Sequence, residues 1–212
     1  DIGTARPSSS DRSTVAHHLI DVVEPDQDFS LVLFLRYARE AISDIQRRSK
    51  LPILVGGTGQ YVWALLEGWQ VPNIPPDEGL RRSFEKMARA DGTAALHEEL
   101  ARVDPTRARR IDARNVRRVI RALEVNYSSP DPNAASSPSP PAFESVILGL
   151  TLERGLLYQR TDRRVDTMIE GGWVGEVEGL LQRGYKPELP SLSSLGYREL
   201  GQHLQGEKSL EE

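Results

Sequence analysis

The 212-residue chain contains no cysteine, few aromatic residues (6%) and no excess of positive charge. The lack of cysteine excludes a disulfide-stapled domain, a zinc site with thiolate ligands and thiol catalysis, and it fits a cytoplasmic protein. No segment approaches the ~20 consecutive apolar residues of a membrane-spanning helix, so we expect no membrane partner. A net charge of −4 argues against a globally basic nucleic-acid-binding protein. Apolar residues still make up 38% of the chain, which is enough for a packed core.

The clearest local pattern is a short apolar run followed by a glycine-rich turn and a helix. Residues 52–55 predict a buried strand, the turn Gly-Gly-Thr-Gly occupies 56–59, and residues 60–66 have the spacing of a helix. Residues 17–23 and 146–152 predict two further strands. Such units are typical of doubly wound α/β sheets, which bind ligands at the carboxyl ends of their strands. The glycines suit the close approach of a phosphate, but by themselves they favour a plain tight turn with positive φ.

Helical patterns fill most of the remaining chain. Ser30 is a candidate N-cap for a first long helix. Residues 80–103 predict a helical region that follows a proline-rich linker at 70–79, and residues 116–123 place apolar side chains at helical spacing. Residues 127–142 contain five Ser and five Pro, and they predict a flexible loop.

The chain has one strongly basic stretch, in which eight arginines and two aspartates lie between residues 102 and 121. The spacing places Arg117, Arg118 and Arg121 on one helix face, opposite the apolar stripe. Such a face suits RNA phosphates, because each neutralised phosphate releases counterions. A solvated face with weak surface ion pairs is the alternative. The shortage of acidic residues nearby favours the binding interpretation.

A second group of arginines comprises Arg160, Arg163 and Arg164. Arg160 and Arg164 lie four residues apart, so on a helix they can clamp one diphosphate. Ion pairing with neighbouring carboxylates explains the same spacing equally well, and the sequence leaves both interpretations open.

The ordered succession of short motifs is more specific than any one of them. Read together, they resemble the tRNA dimethylallyltransferase (tRNA isopentenyltransferase) family over nearly the whole chain. The matching segments are Asp-Ile-Gly-Thr-Ala-Arg-Pro at 1–7, His-His-Leu-Ile-Asp at 17–21, Pro-Ile-Leu-Val-Gly-Gly-Thr-Gly at 52–59, Ala-Leu-Leu-Glu-Gly at 64–68, Asp-Pro at 104–105, Arg-Arg-Val-Ile-Arg-Ala-Leu-Glu-Val at 117–125, Leu-Tyr-Gln-Arg at 157–160, Arg-Val-Asp at 164–166 and Leu-Gly-Tyr-Arg at 195–198.

The resemblance implies an α/β fold, namely a P-loop-type parallel sheet core with an inserted helical domain. The core would comprise residues 1–70 and 111–212, and the insert at 71–110 would bind tRNA. The implied reaction transfers a dimethylallyl group from dimethylallyl diphosphate to N6 of the adenosine 3′ of the anticodon, with Mg²⁺ as cofactor. The implied partners are the tRNA anticodon stem-loop and dimethylallyl diphosphate, and we expect a cytoplasmic monomer.

The resemblance also assigns roles to residues of this chain. Thr58 is implied to lie near the reacting adenine. Five residues are implied to help bind the diphosphate: Gly56, Gly57, Gly59, Arg160 and Arg164. Twelve residues are implied to contact tRNA: Arg81, Arg117, Arg118, Val119, Ile120, Arg121, Ser193, Ser194, Leu195, Gly196, Tyr197 and Arg198. None is implied to bind a metal.

The sequence also departs from the family pattern. The family's P-loop and the aspartate that acts as its general base precede the segment at which this chain begins. We therefore expect a chain truncated at both ends that cannot catalyse transfer by itself. Gln60, Thr161 and the Ser/Pro-rich stretch at 128–141 also differ from the family.

Alternatives from other functional classes remain. One is an adenylate isopentenyltransferase, which the helical insert disfavours because a small nucleotide needs no such grip. Another is a tRNA-binding module without chemistry. A nucleotide-binding fold with no RNA role would leave the basic stretch at 102–121 unexplained.

Overall fold

The computed structural model describes residues 1–128, 141 and 143–211 of the chain. The chain divides into two compact units: the first unit comprises Asp1–Ile53 and Ser145–Glu212, and the second unit comprises Leu54–Glu144. The described residues form ten helices and no strand. The helices are α1 (Ser9–Thr14), α2 (Leu31–Arg47), α3 (Gly59–Leu66), α4 (Glu78–Ala90), α5 (Gly92–Val103), α6 (Pro105–Ala108), α7 (Val116–Ser128), α8 (Arg154–Glu170), α9 (Trp173–Gln182) and α10 (Tyr197–Leu204).

Polar caps explain where several helices begin. The Ser30 side chain accepts a hydrogen bond from the backbone N–H of Leu33 at 3.2 Å, which confirms the predicted N-cap of α2. Asp77 caps α4 in the same way, through the amide three residues further on. Asp104 caps α6, where Pro105 occupies the first helical position and needs no hydrogen-bond partner for its nitrogen.

The second unit is built around a bundle of α4, α5, α6 and α7. Leu96, Val119 and Leu123 are fully buried in its core, and Phe84 of α4 packs against them. The apolar stripe predicted for α7 therefore faces the core, as its helical spacing indicates. The predicted insert at 71–110 lies within this unit, and its boundaries stay a prediction.

In the first unit, α8, α9 and α10 pack around Trp173. Its indole ring lies between Gly3 and Gly196, where an added Cβ atom would stand 2.3 Å and 2.1 Å from the ring. Gly196 also has a φ of +86°, which residues with a side chain rarely adopt. The packing of Trp173 therefore requires glycine at both positions.

The strands predicted at 17–23, 52–55 and 146–152 are wrong for this structure, because the described residues contain no strand. An extended segment becomes a strand only when a neighbour completes its hydrogen-bonded ladder, and neither 52–55 nor 146–152 pairs with another described segment. Apolar side chains are left in solvent as a result: Val55 is 87% exposed and Leu148 is 84% exposed. Residues 17–23 are bent instead, with positive φ at Leu19 and Asp21. The predicted parallel sheet is therefore not seen here.

Two further predictions concern a loop and the membrane. The Ser/Pro-rich loop predicted at 127–142 lies almost entirely outside the described residues, and its first two residues form the end of α7. Within the part of the chain that the structure describes, no helix combines the length and the apolar character needed to cross a bilayer.

Candidate functional site

The glycine-rich turn leads directly into α3. Gly56, Gly57 and Thr58 are exposed, and Thr58 is the N-cap residue, although its hydroxyl caps no amide of the helix. A side chain at Gly56 or Gly57 would meet nothing within 4 Å. None of the three glycines in the turn has a positive φ, so the tight-turn interpretation is not supported. The turn instead offers open backbone in front of a helix N-terminus, an arrangement that suits an anion.

A buried carboxylate organises the surroundings of α7. Glu124 is completely buried. It accepts hydrogen bonds from Nε of Arg81 at 3.0 Å, from the backbone N–H of Asp77 at 2.7 Å and from Nη1 of Arg121. The other terminal nitrogen of Arg121 donates to the carbonyl oxygen of Ile74 at 2.9 Å. Glu124 therefore ties α7 to α4 and to the segment that precedes α4.

These contacts also determine the charge of Glu124. Burial raises its pKa, but the hydrogen bonds from Arg121, the Asp77 amide and Arg81 outweigh burial and hold the pKa below its ordinary value. The carboxylate is therefore ionised, and the two guanidinium groups neutralise it. Sequence analysis missed this role of Glu124. Its spacing of three from Arg121 was a signal, but the contact with Arg81, 43 residues away, depends on how α4 packs against α7.

The basic stretch at 102–121 divides into paired and unpaired arginines. Four pair with carboxylates: Arg102 with Glu99, Arg107 with Asp104, Arg114 with Asp112, and Arg121 with Glu124. The other four are exposed, and their guanidinium groups make no hydrogen bond or ion pair with any described residue: Arg109, Arg110, Arg117 and Arg118. The expected shortage of acidic partners therefore applies to only half of the stretch.

The tRNA contacts predicted on α7 differ in exposure. Arg117 and Arg118 face solvent, whereas Val119 and Ile120 are buried in the core of the bundle, so their side chains are not available to a ligand. Arg121 lies one turn further along α7, but its guanidinium turns to the buried carboxylate of Glu124, so it is not an unpaired cation. Helical spacing gives the direction of Cα–Cβ, but a long arginine side chain follows the acceptor that it finds.

Arginines of α8 line an open pocket in the first unit. The lining residues are Ile2, Ala5, Arg160, Arg163, Arg164, Thr167 and Met168. The three guanidinium groups form no ion pair with the described residues, so the ion-pairing interpretation of their spacing is not supported. Glu153, a candidate partner, instead caps α8 by accepting hydrogen bonds from the amides of Gly155 at 2.9 Å and Leu156 at 3.0 Å. Cations and apolar side chains therefore line one pocket.

The turn before α10 carries the remaining predicted tRNA contacts. Residues 193–195 are exposed. Tyr197 is buried, and its hydroxyl hydrogen-bonds the carboxylate of Glu176; burial and this carboxylate raise the pKa of Tyr197. Arg198 is exposed, but its guanidinium lies 2.6 Å from the carboxylate of Glu199. The segment thus combines exposed residues with a buried anchor.

The predicted site residues fall in both units. Thr58, Arg81 and the arginines of α7 belong to the second unit, whereas Arg160, Arg164 and residues 193–198 belong to the first. Across the described ranges, no group of three or more His, Asp or Glu side chains is placed to hold a metal ion. Mg²⁺ is usually held by one or two carboxylates together with substrate phosphates and waters, which needs no such group, so the implied cofactor stays a prediction.

An open glycine turn before a helix, unpaired surface arginines and an arginine-lined pocket are features that suit phosphate-bearing ligands. The family model described as IPP transferase matches residues 1–212. The chain is 50% identical over 213 residues to the tRNA dimethylallyltransferase of Roseiflexus castenholzii, a match that covers 100% of this chain and 70% of that protein. It is 48% identical over 210 residues to the tRNA dimethylallyltransferase of Herpetosiphon aurantiacus, a match that covers 99% of this chain and 67% of that protein. The chain belongs to the IPP transferase family, which confirms the resemblance.

Solved structures agree with this assignment. A full-length tRNA isopentenylpyrophosphate transferase from Bacillus halodurans is similar with a TM-score of 0.65 and 38% identity, over 100% of this chain and 66% of that protein. Crystallographic snapshots of a eukaryotic dimethylallyltransferase acting on tRNA give a TM-score of 0.77 and 27% identity, over 97% of this chain and 54% of that protein. The described fold is therefore similar to the corresponding part of these transferases.

Proposed function

We propose that this chain takes part in the transfer of a dimethylallyl group from dimethylallyl diphosphate to N6 of the adenosine 3′ of the anticodon in tRNA. The observation that carries the proposal is the pocket on α8, where Arg160 and Arg164 lie beside the apolar side chains of Ile2 and Met168. Guanidinium groups without a carboxylate partner in the described residues suit a diphosphate, and apolar side chains suit its hydrocarbon tail. Family membership over the whole chain supports the same reaction.

The proposed chemistry joins N6 of adenine to C1 of the dimethylallyl group. The bond between C1 and the diphosphate oxygen breaks, and pyrophosphate leaves with the bonding electrons. The proton of the amine passes to a general base, which the resemblance assigns to an aspartate preceding Asp1. Arg160 and Arg164 offset the negative charge that develops on the leaving group. The resemblance assigns the contact with adenine to Thr58, whose exposed side chain lies within the glycine turn.

We also propose that residues 52–55 and 146–152 belong to the parallel, P-loop-type sheet that the resemblance implies. Their exposed apolar side chains support this proposal, because strands that are apolar on both faces are typical of sheets covered by helices on both sides. The glycine turn at 56–59 then lies at the carboxyl end of a strand, where such sheets bind ligands.

For the nucleic-acid partner we propose the anticodon stem-loop, bound by a single copy of the chain. The exposed arginines Arg117 and Arg118 and the exposed residues 193–195 support direct contact. Val119 and Tyr197 are buried, and they support the contact indirectly by holding α7 and the turn before α10 in place. A surface of this kind favours tRNA over a free adenylate, which needs no basic helix outside its pocket.

A transfer assay on a chimera tests the proposal. In the chimera, this chain replaces the matched region of the Roseiflexus castenholzii relative. Labelled dimethylallyl diphosphate, Mg²⁺ and a tRNA with adenosine 3′ of its anticodon are supplied. We expect label at N6 of that adenosine and no competition by AMP. A folded chimera that binds tRNA and transfers no label would support the non-catalytic module instead, and competition by AMP would support an adenylate isopentenyltransferase.

A further inference from the structure

Four of the unpaired arginines of the second unit lie within ten residues of sequence, at 109–118, and they include two that no motif of the family resemblance singles out. The other two, Arg82 and Arg89, lie apart from them on α4. We infer that Arg109 and Arg110 form a second phosphate-binding element for the stem-loop, together with Arg117 and Arg118, and that Arg81 and Arg121 position α7 without contacting RNA. This inference rests on the proposed function and extends it to a specific surface.

Charge is the first argument. The chain as a whole carries a net charge of −4, whereas this short segment concentrates exposed positive charges that have no partner. Arg109 and Arg110 are exposed, and their guanidinium groups have no ion-pair or hydrogen-bond partner in the described part of the chain. Each can therefore neutralise a phosphate without first breaking an ion pair, and each neutralised phosphate releases counterions.

The opposite holds for Arg81 and Arg121. Both donate to Glu124, which is completely buried. If either guanidinium turned to a phosphate, Glu124 would lose a donor and keep a buried negative charge, which is strongly unfavourable. We therefore expect these two guanidinium groups to stay bound to Glu124 when RNA binds.

Backbone positioning is the second argument. The Nε2 atom of His97 lies 3.0 Å from the carbonyl oxygen of Ala108 and 2.9 Å from that of Ile111. Carbonyl oxygens only accept, so Nε2 carries the proton and donates to both. The two carbonyls flank Arg109 and Arg110, and the half-buried His97 therefore fastens this loop to α5.

The segment is also held at its other end. The Asn115 side chain accepts a hydrogen bond from the backbone N–H of Arg118 at 3.2 Å, which caps the start of α7. A loop that is fixed at both ends loses less conformational entropy when it binds a ligand than a free one does. His97 and Asn115 are thus positioning residues for the exposed arginines.

Binding of an anticodon stem-loop RNA to this chain, measured by fluorescence anisotropy at several KCl concentrations, tests the inference. The test variant is Arg109→Gln/Arg110→Gln. The matched control is Arg82→Gln/Arg89→Gln, which removes the same charge from exposed arginines of α4. We expect the test variant to bind on the order of tenfold or more weakly at low salt and the slope of log K against log salt to fall by about 2. The control should stay within about twofold of the wild type.

Single variants separate contact from positioning. Arg81→Gln should keep the wild-type salt slope in the folded protein, because Arg81 neutralises no phosphate. His97→Ala should weaken binding while the slope stays unchanged, because the arginines still reach phosphates from a looser loop. Circular dichroism shows whether each variant is folded. If the Arg109→Gln/Arg110→Gln variant does not fold, the single variant Arg110→Glu takes its place.

The two possible failures are distinguishable. If the wild-type chain does not bind the stem-loop at low salt, the RNA part of the proposed function fails and this inference with it. If the wild type binds and the Arg109→Gln/Arg110→Gln variant keeps the wild-type slope, the inference alone is overturned. A reduced slope for Arg81→Gln would also overturn it, since Arg81 would then be a phosphate contact.

Discussion

Single residues decide which arginines of this chain are available to a ligand. Glu124 accepts hydrogen bonds from Arg81 and Arg121 while it is completely buried, and so removes both from the exposed basic surface. Arg117 and Arg118 come from the same motif but meet no carboxylate among the described residues. Neighbouring arginines of similar sequence context therefore have different roles, and the difference lies in one buried acceptor.

We expect Glu124→Ala to lower the free energy of unfolding by about 2–3 kcal/mol, because two guanidinium groups lose their acceptor. The loss should be smaller than the ~3–5 kcal/mol of a fully buried pair, since the side chains of Arg81 and Arg121 are 34% and 38% exposed and solvent screens them. Urea unfolding measures it. Glu98→Ala, on the exposed face of α5, is the control and should change stability by less than about 0.5 kcal/mol. Equal losses in the two variants would contradict the special role of Glu124.

The same carboxylate makes stability depend on pH. The pKa of Glu124 is lower in the folded protein than in the unfolded chain, so its contribution is fully present above the ordinary glutamate pKa of about 4.3. The contribution is lost as the pH falls through the lowered pKa. We expect the wild type to lose more stability between pH 7 and pH 3 than Glu124→Gln does. Equal losses in urea unfolding would assign the acid sensitivity to other carboxylates.

Gly196 is a second residue with a specific prediction. Gly196→Ala should cost about 2–4 kcal/mol of unfolding free energy, because the φ of +86° strains any side chain and the new Cβ would stand 2.1 Å from Trp173. Gly179→Ala is the control: it lies inside α9, its Cβ meets nothing within 4 Å, and it should gain up to about 1 kcal/mol. Thermal unfolding of both variants measures these changes in stability. A Gly196→Ala variant as stable as the wild type would contradict the described packing.

At the scale of elements, helices and strands differ in how far the sequence predicts them. A helix closes its hydrogen bonds within itself, so the cap at Ser30 and the apolar spacing of α7 were sufficient to predict both. A strand depends on a partner that local sequence does not contain. Residues 52–55 and 146–152 predicted buried strands, and in the structure they are unpaired and mostly exposed. For the same reason the pocket on α8 was predicted only in part. The spacing of Arg160 and Arg164 was visible, and the apolar side chain of Ile2 beside them was not.

Helix α8 carries a prediction about transfer. In the chimera described above, Arg164→Gln should lower the transfer rate by about 10–100-fold, the effect of losing one charge-assisted contact to the leaving diphosphate. Arg154→Gln, an exposed arginine at the start of the same helix and outside the pocket lining, should leave the rate unchanged. Single-turnover transfer of labelled dimethylallyl groups measures both. Equal rates in the two variants would remove Arg164 from the diphosphate site.

At the scale of the whole molecule, two apolar segments, residues 52–55 and 146–152, are exposed to solvent. Ile53, Val55 and Val146 are 77%, 87% and 89% exposed in the described structure. Exposed apolar patches bind hydrophobic dyes and promote association. We expect the chain alone to enhance the fluorescence of the dye ANS and the chimera to enhance it much less, because the segments pair into a sheet there. Equal enhancement by the two proteins would contradict the proposed P-loop-type core.

By itself, the sequence determined the family, several of the longer helices and the position of the basic stretch at 102–121. Motif order and helical hydrogen bonding are local properties, and a local pattern can be read without knowing what packs against it. Only the tertiary structure decided which arginines remain exposed without a partner. That outcome depends on Glu124 meeting Arg81 across 43 residues of chain and on His97 fastening the loop at 108–111. Burial and pairing are properties of contacts between distant segments, and no local pattern contains them.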